Sequence, residues 1–126
     1  MIIAIDFDGT VVKNDWPNIG KLRLFAVPVL KWLNKHHYLI LYTCREGMLL
    51  REAEEFLWTK GIGFRYVNVN LGKRIREYGN DCRKISADLY IDDRAVGYWN
   101  WPLVFISILG MMAWQKINNL QIIRKK

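Results

Sequence analysis

Apolar positions along the chain follow two spacings, short continuous runs and helical repeats. The continuous runs are rich in β-branched residues and predict buried parallel strands. These runs are Ile2 to Asp6, Tyr38 to Thr43, Phe64 to Val69 and Leu89 to Asp92. Helical repeats separate the first three runs. Strands that alternate with helices are typical of an α/β domain built on a parallel sheet.

The first helical repeat contains a proline. Apolar residues between Leu22 and Leu33 have the i, i+3, i+4 spacing of one helix face, and Pro28 lies in their middle. Because proline is accepted in a first turn but not in a helix interior, we predict that the helix begins near Phe25 to Val27. A second helix is predicted from about Gly47 to Lys60. Its apolar face would consist of Leu49, Ala53, Phe56 and Leu57.

Polar residues follow three of the four predicted strands. Asp6 and Asp8 close the first run, Thr43 closes the second, and Asp92 and Asp93 close the last. Right-handed crossovers bring the carboxyl ends of parallel strands to one edge of a sheet, so we expect these side chains to converge. Paired carboxylates can hold a divalent cation, and one of them can attack an electrophile. The alternative, that the first pair merely forms a turn before Gly9, explains only one of the three strand ends.

The order of these motifs resembles the haloacid dehalogenase superfamily of phosphotransferases. The residues that carry the resemblance are the segment from Asp6 to Thr10, Thr43, Lys84 and the pair Asp92 and Asp93. The resemblance runs from residue 1 to about residue 97. It is closest to small phosphatase-like members without a cap domain, which the stretches 16–20, 43–47 and 87–94 resemble in particular. It implies a Rossmann-like parallel sheet with flanking helices, in which the first strand lies between the second and the fourth.

The resemblance also implies a Mg²⁺-dependent phosphatase with a role for each carboxylate. Asp6 is expected to be the nucleophile that forms an aspartyl phosphate. Asp8 is expected to protonate the leaving oxygen and then to activate the water that releases phosphate. Mg²⁺ is expected on the side chains of Asp6 and Asp92 and on the backbone carbonyl of Asp8. Asp93 is expected to hold a water ligand of the ion or to contact one of the ion's other ligands.

Phosphate binding is expected from residues around the same edge of the sheet. Thr43 should donate a hydrogen bond to a phosphate oxygen, and Lys84 should neutralise charge on the nucleophile and the phosphoryl group. The full expected set is Phe7, Gly9, Thr43, Cys44, Arg45 and Lys84, in which Phe7 and Cys44 act through backbone N–H groups. For Arg45, three partners remain open: the substrate, Glu46 and Asp93. For the Cys44 side chain we expect a buried, structural position.

Hydrolysis is the favoured reaction within the resemblance. Dehalogenating members lack an acidic residue at the position of Asp8, and ion-pumping members carry threonine there, whereas aspartate fits phosphate ester hydrolysis or phosphomutation. The segments 9–38 and 44–84 are too short to hold a cap domain. We therefore expect an open site, and a phosphomutase would need a cap to shield its phosphoenzyme from water.

Length and composition fit one globular domain. The chain has 126 residues, of which 52% are hydrophobic and 25% are charged. We predict a single domain over 1–126, with a core over 1–97 and an apolar helix and basic tail over 98–126. Two cysteines provide no disulfide framework, and no signal peptide is visible, so we expect a cytoplasmic protein with reduced thiols.

The C-terminal part of the chain is unusually apolar. No charged residue occurs from Ala95 to Gln115, but the continuous apolar part, about Leu103 to Trp114, has the length of a buried helix rather than a membrane span. We expect no membrane span and predict a helix that docks on the sheet or forms a homo-oligomer contact. Trp32, Trp58 and Trp114 are expected in the core. For Trp16 and Trp99, packing and stacking on a substrate both remain open.

The excess of basic residues favours anionic partners. The charge is 19 basic minus 12 acidic residues, or +7. One basic cluster, formed by Lys73, Arg74 and Arg76, is expected to flank the site. The expected substrate is a small phosphorylated molecule. A nucleic-acid-end phosphatase or a nucleic-acid-binding protein is the alternative, although the sequence has no recognisable DNA- or RNA-binding motif.

Overall fold

Parallel strands and helices alternate along the chain. The computed structural model describes residues 1–95 and 100–124, with side chains up to residue 119. In chain order, the elements are β1 (Ile2–Ile5), α1 (Ala26–His36), β2 (Tyr38–Leu41), α2 (Gly47–Thr59), β3 (Tyr66–Val67), α3 (Gly72–Tyr78), β4 (Leu89–Ile91) and α4 (Trp101–Arg124).

The four strands form one parallel sheet in the order β3-β2-β1-β4. Ile2 lies opposite Tyr38 on one side of β1, and Ile3 lies opposite Leu89 on the other. The apolar run of β1 is buried along its whole length because it forms the centre of the sheet. The predicted α/β class and the central position of the first strand are therefore confirmed.

The two faces of the sheet are covered unequally. Ile3 and Ile5 point to the first face, where α1, α2 and α4 supply most of the hydrophobic core. Ile2, Ala4 and Ile40 point to the second face, which is covered by the connection from β3 to β4. Helix α3 lies in that connection and contributes no buried residue. The second face is therefore the thinner side of the molecule.

Helix α1 begins where Pro28 allows it. The helix starts at Ala26, which places Pro28 in the first turn and confirms the predicted start. Phe25 precedes the helix in a left-handed conformation with φ of 64°. At the other end, the His37 N–H donates to the carbonyl of Leu33, which closes the last turn.

Two segments differ from the predicted elements. We expected a plain connection over 72–78, but it forms α3, whose single aliphatic side chain between Leu71 and Tyr78 is too weak a repeat to predict a helix. We also expected the last helix to end near Trp114, but α4 continues to Arg124. No proline or glycine interrupts the chain after Gly110, so the polar residues that follow extend the helix.

The tryptophans are distributed differently from the prediction. Trp58 and Trp114 are 74% and 66% exposed, so their expected place in the core was wrong. Trp58 lies on the outer side of α2 and covers Gly63, while Trp114 lies beyond Met112, the last α4 residue packed against the core. Trp32 packs edge-on against Phe105 with ring centroids 5.0 Å apart. The residue Trp99 lies outside the described residues.

Helix α4 buries only part of its apolar surface. Trp101 and Ile108 are its buried residues among 101–119, and the helix packs on α1. None of the described helices is long and apolar enough to cross a membrane. The exposed large apolar residues of α4 are Leu103, Ile106, Leu109, Met111, Trp114 and Ile117.

Candidate active site

The carboxyl edge of the sheet holds an open surface cavity of about 470 Å³. The residues after β1, β2 and β4 meet there, as expected for parallel strands. Its lining residues are Asp6, Asp8, Asn14, Trp16, Thr43, Cys44, Asp92, Asp93 and Arg94. The structure therefore brings together all four predicted carboxylates and the predicted threonine.

Three carboxylates form a group that fits a cation. Asp6, Asp92 and Asp93 each place one oxygen so that these atoms lie within 4.8 Å of one another. The Asp6 N–H donates to the Ile91 carbonyl at 2.9 Å, which joins the end of β1 to the end of β4. The Oδ1 atom of Asp93 is shielded from solvent and has no hydrogen bond within the described residues. A buried carboxylate oxygen needs a compensating partner, and a hard cation with oxygen ligands would supply it.

The crowding of negative charge changes the acidity of Asp6. Burial raises the pKa of Asp6 from 3.8 to about 6, and the charges of Asp92 and Asp93 add to this effect. Hydrogen bonds from Thr10 and from the Phe7 backbone act in the opposite direction. Ionisation of all three carboxylates without a counter-charge therefore costs free energy in the folded protein.

Thr10 joins the two acidic strand ends. Its hydroxyl donates to Oδ2 of Asp6 at 2.8 Å and accepts the N–H of Asp93 at 2.9 Å. Its carbonyl accepts the indole N–H of Trp101 at 3.1 Å, and its side chain is fully buried. The sequence placed Thr10 in a motif but did not reveal this bridge, because the bridge depends on β1 and β4 being neighbours.

Gly9 gives Asp93 the space that its position requires. Gly9 has φ of +91°, a conformation that favours glycine. A Cβ atom there would lie 2.2 Å from Oδ2 of Asp93, so a side chain would displace that carboxylate. The Gly9 N–H already donates to the Val12 carbonyl at 2.8 Å, and its carbonyl accepts from the Arg23 guanidinium. In this structure Gly9 shapes the turn and the acidic group.

Asp8 is held by a buried arginine. Nε and Nη2 of Arg45 donate to the two carboxylate oxygens of Asp8, each at 2.7 Å. The Arg45 side chain is 0% exposed and that of Asp8 is 16% exposed. A two-pronged pair of this kind fixes the orientation of the carboxylate as well as its charge environment.

The same arginine ties a loop to the site. Its Nη1 and Nη2 donate to the carbonyls of Pro17 and Asn18 at 3.1 and 2.7 Å. The guanidinium carbon lies 5.2 Å from the ring centroids of both Phe7 and Trp16. Arg45 thereby connects the end of β1 with the loop that carries Trp16, one wall of the cavity.

Arg45 thus occupies a different place from the one expected. We expected it to face a substrate phosphate or to pair with Glu46 or Asp93, but it is buried and pairs with Asp8. The physical reason is that β1 and β2 are neighbouring parallel strands, so the segments that follow them, with Asp8 and Arg45, lie side by side. After Thr43 the chain turns, with the Arg45 N–H donating to the Thr43 hydroxyl at 3.2 Å, and the guanidinium enters the interior.

An asparagine after β3 fixes the backbone at Thr43. Asn68 accepts the Thr43 N–H and donates to the Thr43 carbonyl, both at 2.8 Å. Asn68 adopts φ of 52°, a left-handed conformation that asparagine tolerates better than most residues. Cys44 is exposed and lines the cavity, so the expectation of a buried side chain was wrong. The Phe7 side chain is buried, which leaves only its backbone near the site.

Lys84, the predicted phosphate-binding lysine, does not line the cavity, whereas Arg94 does. Lys84 is exposed in the connection before β4 and is not among the residues that line the cavity. This connection is organised by Asn70, which accepts the N–H of Ser86 at 2.6 Å. Arg94 does line the cavity, and its N–H donates to Oδ1 of Asp92 at 2.8 Å. The sequence signal for Arg94 was its place directly after the second acidic pair.

The basic cluster of α3 lies away from this site. We expected Lys73, Arg74 and Arg76 to flank the carboxylates, but they line a cavity beside Ile2 and Tyr38, at the amino ends of β1 and β2. The expectation was wrong because the chain from β3 to β4 must return to the amino edge before β4 begins, and α3 lies on that return path.

Comparison with known proteins shows a similarity to a solved structure. No protein-family model matches the chain, and no curated protein matches it. A solved structure, described as that of a conserved protein coded by a locus from Bacteroides thetaiotaomicron, is 42% identical in sequence with a TM-score of 0.80. The match covers 88% of this chain and 91% of the other. The chain therefore belongs to the same family as this conserved Bacteroides protein.

Proposed function

We propose that the protein is a Mg²⁺-dependent phosphatase of the haloacid dehalogenase type that hydrolyses a phosphate monoester. One observation carries the proposal: Asp6, Asp92 and Asp93 place carboxylate oxygens within 4.8 Å of one another in an open cavity that Asp8 also lines. Mg²⁺ suits this set because it prefers carboxylate oxygens and commonly bridges them to phosphate. Once bound, it would neutralise charge on the transferred phosphoryl group.

Asp6 is the nucleophile in the proposed reaction. One of its carboxylate oxygens attacks phosphorus, and the bond from phosphorus to the ester oxygen breaks as an aspartyl phosphate forms. The hydrogen bond from Thr10 holds the other oxygen, Oδ2, and so orients the carboxylate toward the cavity. Thr43 and Arg94 line the same cavity, and in the proposed reaction their hydroxyl and guanidinium bind phosphate oxygens.

Asp8 supplies and takes the proton. In the first step its carboxyl proton goes to the leaving oxygen, and in the second step it accepts a proton from the water that attacks phosphorus and releases phosphate from Asp6. Both Asp8 oxygens accept hydrogen bonds from Arg45, and each oxygen keeps a second lone pair that can carry the transferred proton. We propose that Arg45 keeps Asp8 in place throughout.

The openness of the cavity supports a substrate larger than a small metabolite as well as a small one. Between Gly9 and Tyr38 the chain forms only a loop and α1, and between Cys44 and Lys84 it forms only α2, β3, α3 and their connections. Within these fully described segments, nothing covers the carboxyl edge of the sheet as a cap domain would.

A hydrolysis screen tests the proposal. Purified protein with Mg²⁺ should release phosphate from p-nitrophenyl phosphate and from at least one member of a panel of phosphorylated metabolites, nucleotides and end-phosphorylated oligonucleotides. Excess chelator should stop the reaction, and Mg²⁺ should restore it. Asp6→Asn should remove turnover while keeping the fold, because the amide retains the shape and loses the attacking charge. Release that persists in chelator or in Asp6→Asn, or no release from any member of the panel, would refute the proposal.

A further inference from the structure

The second face of the sheet is open at its amino edge. A surface cavity of about 520 Å³ lies between the starts of β1 and β2 and helix α3, a size within the usual range for ligand sites. Its apolar part is formed by Ile2, Tyr66 and Leu71. This cavity is at the opposite end of the strands from the acidic group, and no step of the proposed reaction uses it.

Two tyrosines lie on this open face. Tyr38 is in register with Ile2, and Tyr66 is in register with Ile40. Because Ile2 and Ile40 both point to the second face, the two tyrosines point there as well. Tyr38 is 63% exposed although it begins a central strand. An exposed aromatic ring on a sheet face offers a stacking surface for a nucleic-acid base.

Basic residues border the same face. Lys73, Arg74 and Arg76 line the cavity, and Asp88 is the acidic residue among its lining. Arg74 is already paired with Glu77 at 2.8 Å, and Asp88 accepts the Ile2 N–H at 2.7 Å. Across residues 1–95 and 100–119, neither Lys73 nor Arg76 forms a salt bridge, so both charges are available to an anion.

The basic character continues along the edge of the sheet. A neighbouring cavity of about 410 Å³ shares Tyr38 and Tyr66 with the first one. It adds Lys35 and Arg65 and contains no acidic residue in its lining. The two cavities together form a strip with the exposed Tyr38 ring and the half-buried Tyr66 ring in the middle and cationic side chains on both sides.

We propose that this strip binds single-stranded nucleic acid. Lys73 and Arg76 contact backbone phosphates, and Tyr38 stacks on a base. A single strand is favoured over a duplex because its bases expose their faces to a flat aromatic ring, whereas the bases of a duplex are already stacked. An acidic protein would use the same charges but would gain little from Tyr38.

Fluorescence anisotropy with a labelled twelve-residue oligo(dT) tests the proposal. The wild-type protein should bind it at 50 mM salt, and affinity should fall as salt rises. In Lys73→Gln/Arg76→Gln, the slope of log affinity against log salt should decrease by about 1.4, since each phosphate contact on a single strand contributes about 0.7. Tyr38→Ala should weaken binding about ten-fold, in line with the loss of one stacked base, and Tyr38→Phe should not.

Matched variants separate this strip from a general charge effect. Arg51→Gln/Lys116→Gln removes the same charge from exposed positions of α2 and α4, the helices that cover the first face of the sheet, and should leave affinity within about two-fold. Asp6→Asn should bind as the wild type does, which distinguishes this site from the proposed active site. Circular dichroism should show the same fold for every variant, since Tyr38, Lys73 and Arg76 are exposed.

Several results would overturn the proposal. These are the absence of binding at 50 mM salt, tighter binding of a duplex than of oligo(dT), and equal losses in the strip variants and the matched variants. Loss of oligonucleotide binding in Asp6→Asn would also overturn it, because the strand would then lie at the acidic group. Binding to anionic lipid vesicles or polyglutamate that is as tight as binding to oligo(dT) and is unaffected by Tyr38→Ala would overturn it as well, because the strip would then be an unspecific anion-binding surface.

Discussion

Among single residues, Asp6 links the chemistry of the site to the stability of the fold. Its pKa is raised from 3.8 to about 6, so below pH 3.8 the group is protonated in folded and unfolded chains alike and costs nothing. Above pH 6 it is ionised in both, and the folded state alone carries the cost. In the metal-free protein this contribution therefore makes the unfolding free energy fall as pH rises from about 4 to 6.

Asp6→Asn should remove this cost. We expect the metal-free variant to be more stable than the wild type at pH 7 and equally stable below pH 4. The group is partly exposed and water screens the repulsion, so we expect a gain of about 1 to 2 kcal/mol. Urea unfolding at several pH values measures it, with Asp15→Asn at an exposed position as the control. A difference that does not change with pH would contradict the prediction.

A second prediction at the residue scale concerns the ion pair between Arg45 and Asp8. Arg45→Met should destabilise the protein by about 3 kcal/mol, because it leaves the Asp8 carboxylate without its partner. The double variant Asp8→Asn/Arg45→Met should lose less than the sum of the two single variants, since the interaction can be lost only once. Chemical denaturation of the four proteins gives the coupling energy. A coupling near zero would show that the pair contributes nothing to stability.

At the scale of elements, the turn after β1 packs closely against Asp93, which follows β4, and only glycine at position 9 leaves room for that carboxylate. Gly9→Ala should destabilise the protein and weaken Mg²⁺ binding, because the new Cβ would meet Asp93. Gly79→Ala is the matched control: its φ is +75°, and a Cβ there has no atom within 4 Å. In both variants the left-handed backbone conformation alone should lower the free energy of unfolding by about 1 to 2 kcal/mol. Thermal unfolding should show a larger loss of stability for Gly9→Ala than for Gly79→Ala, and calorimetric titration should show weaker Mg²⁺ binding for Gly9→Ala alone. Equal effects of the two variants would refute the prediction.

The sequence predicted the elements best where one strong local signal decides them. Pro28 located the start of α1, and the apolar runs that end at Asp6, Thr43 and Asp92 located the strands. It did not predict α3, whose single Ile75 gives no repeat, nor the length of α4 beyond Trp114. Local signals of this kind act within a few residues, so they specify elements without specifying how the elements meet.

The candidate site shows the same limit. The four carboxylates could be named in advance because they follow strands whose ends must converge. The pair of Asp8 with Arg45 and the bonds between Asn68 and Thr43 could not, because each depends on which strand lies beside which. Arg45 and Lys84 both carried a plausible charge for phosphate, and only the packing shows that the first is buried and the second is outside the cavity lining.

For the whole molecule, the exposed surface of α4 predicts self-association. Leu103, Ile106, Gly110 and Ile117 recur at intervals of three, four and seven residues, on the side opposite to the buried Trp101 and Ile108. This spacing is that of a helix-pairing seam, and Gly110 leaves room for close approach. We predict a homo-oligomer in which copies of α4 pack on each other.

Light scattering coupled to size exclusion measures this prediction. The wild-type protein should be larger than one chain of 14.9 kDa, and Ile106→Glu/Ile117→Lys should shift it to the monomer. Gln115→Glu, an exposed change on the same helix, should leave the assembly intact. A wild-type protein that stays monomeric at high concentration would contradict the predicted homo-oligomer.

The bridge through Thr10 has a consequence for how cation binding and assembly affect each other. Its hydroxyl contacts Asp6 and the Asp93 backbone, while its carbonyl holds the indole of Trp101, the first residue of the helix that would pair. Two binding equilibria that both change the position of this residue would be thermodynamically linked, and such linkage is reciprocal. If occupancy of the acidic group shifts the helix, any factor by which Mg²⁺ strengthens dimer formation must equal the factor by which dimer formation strengthens Mg²⁺ binding.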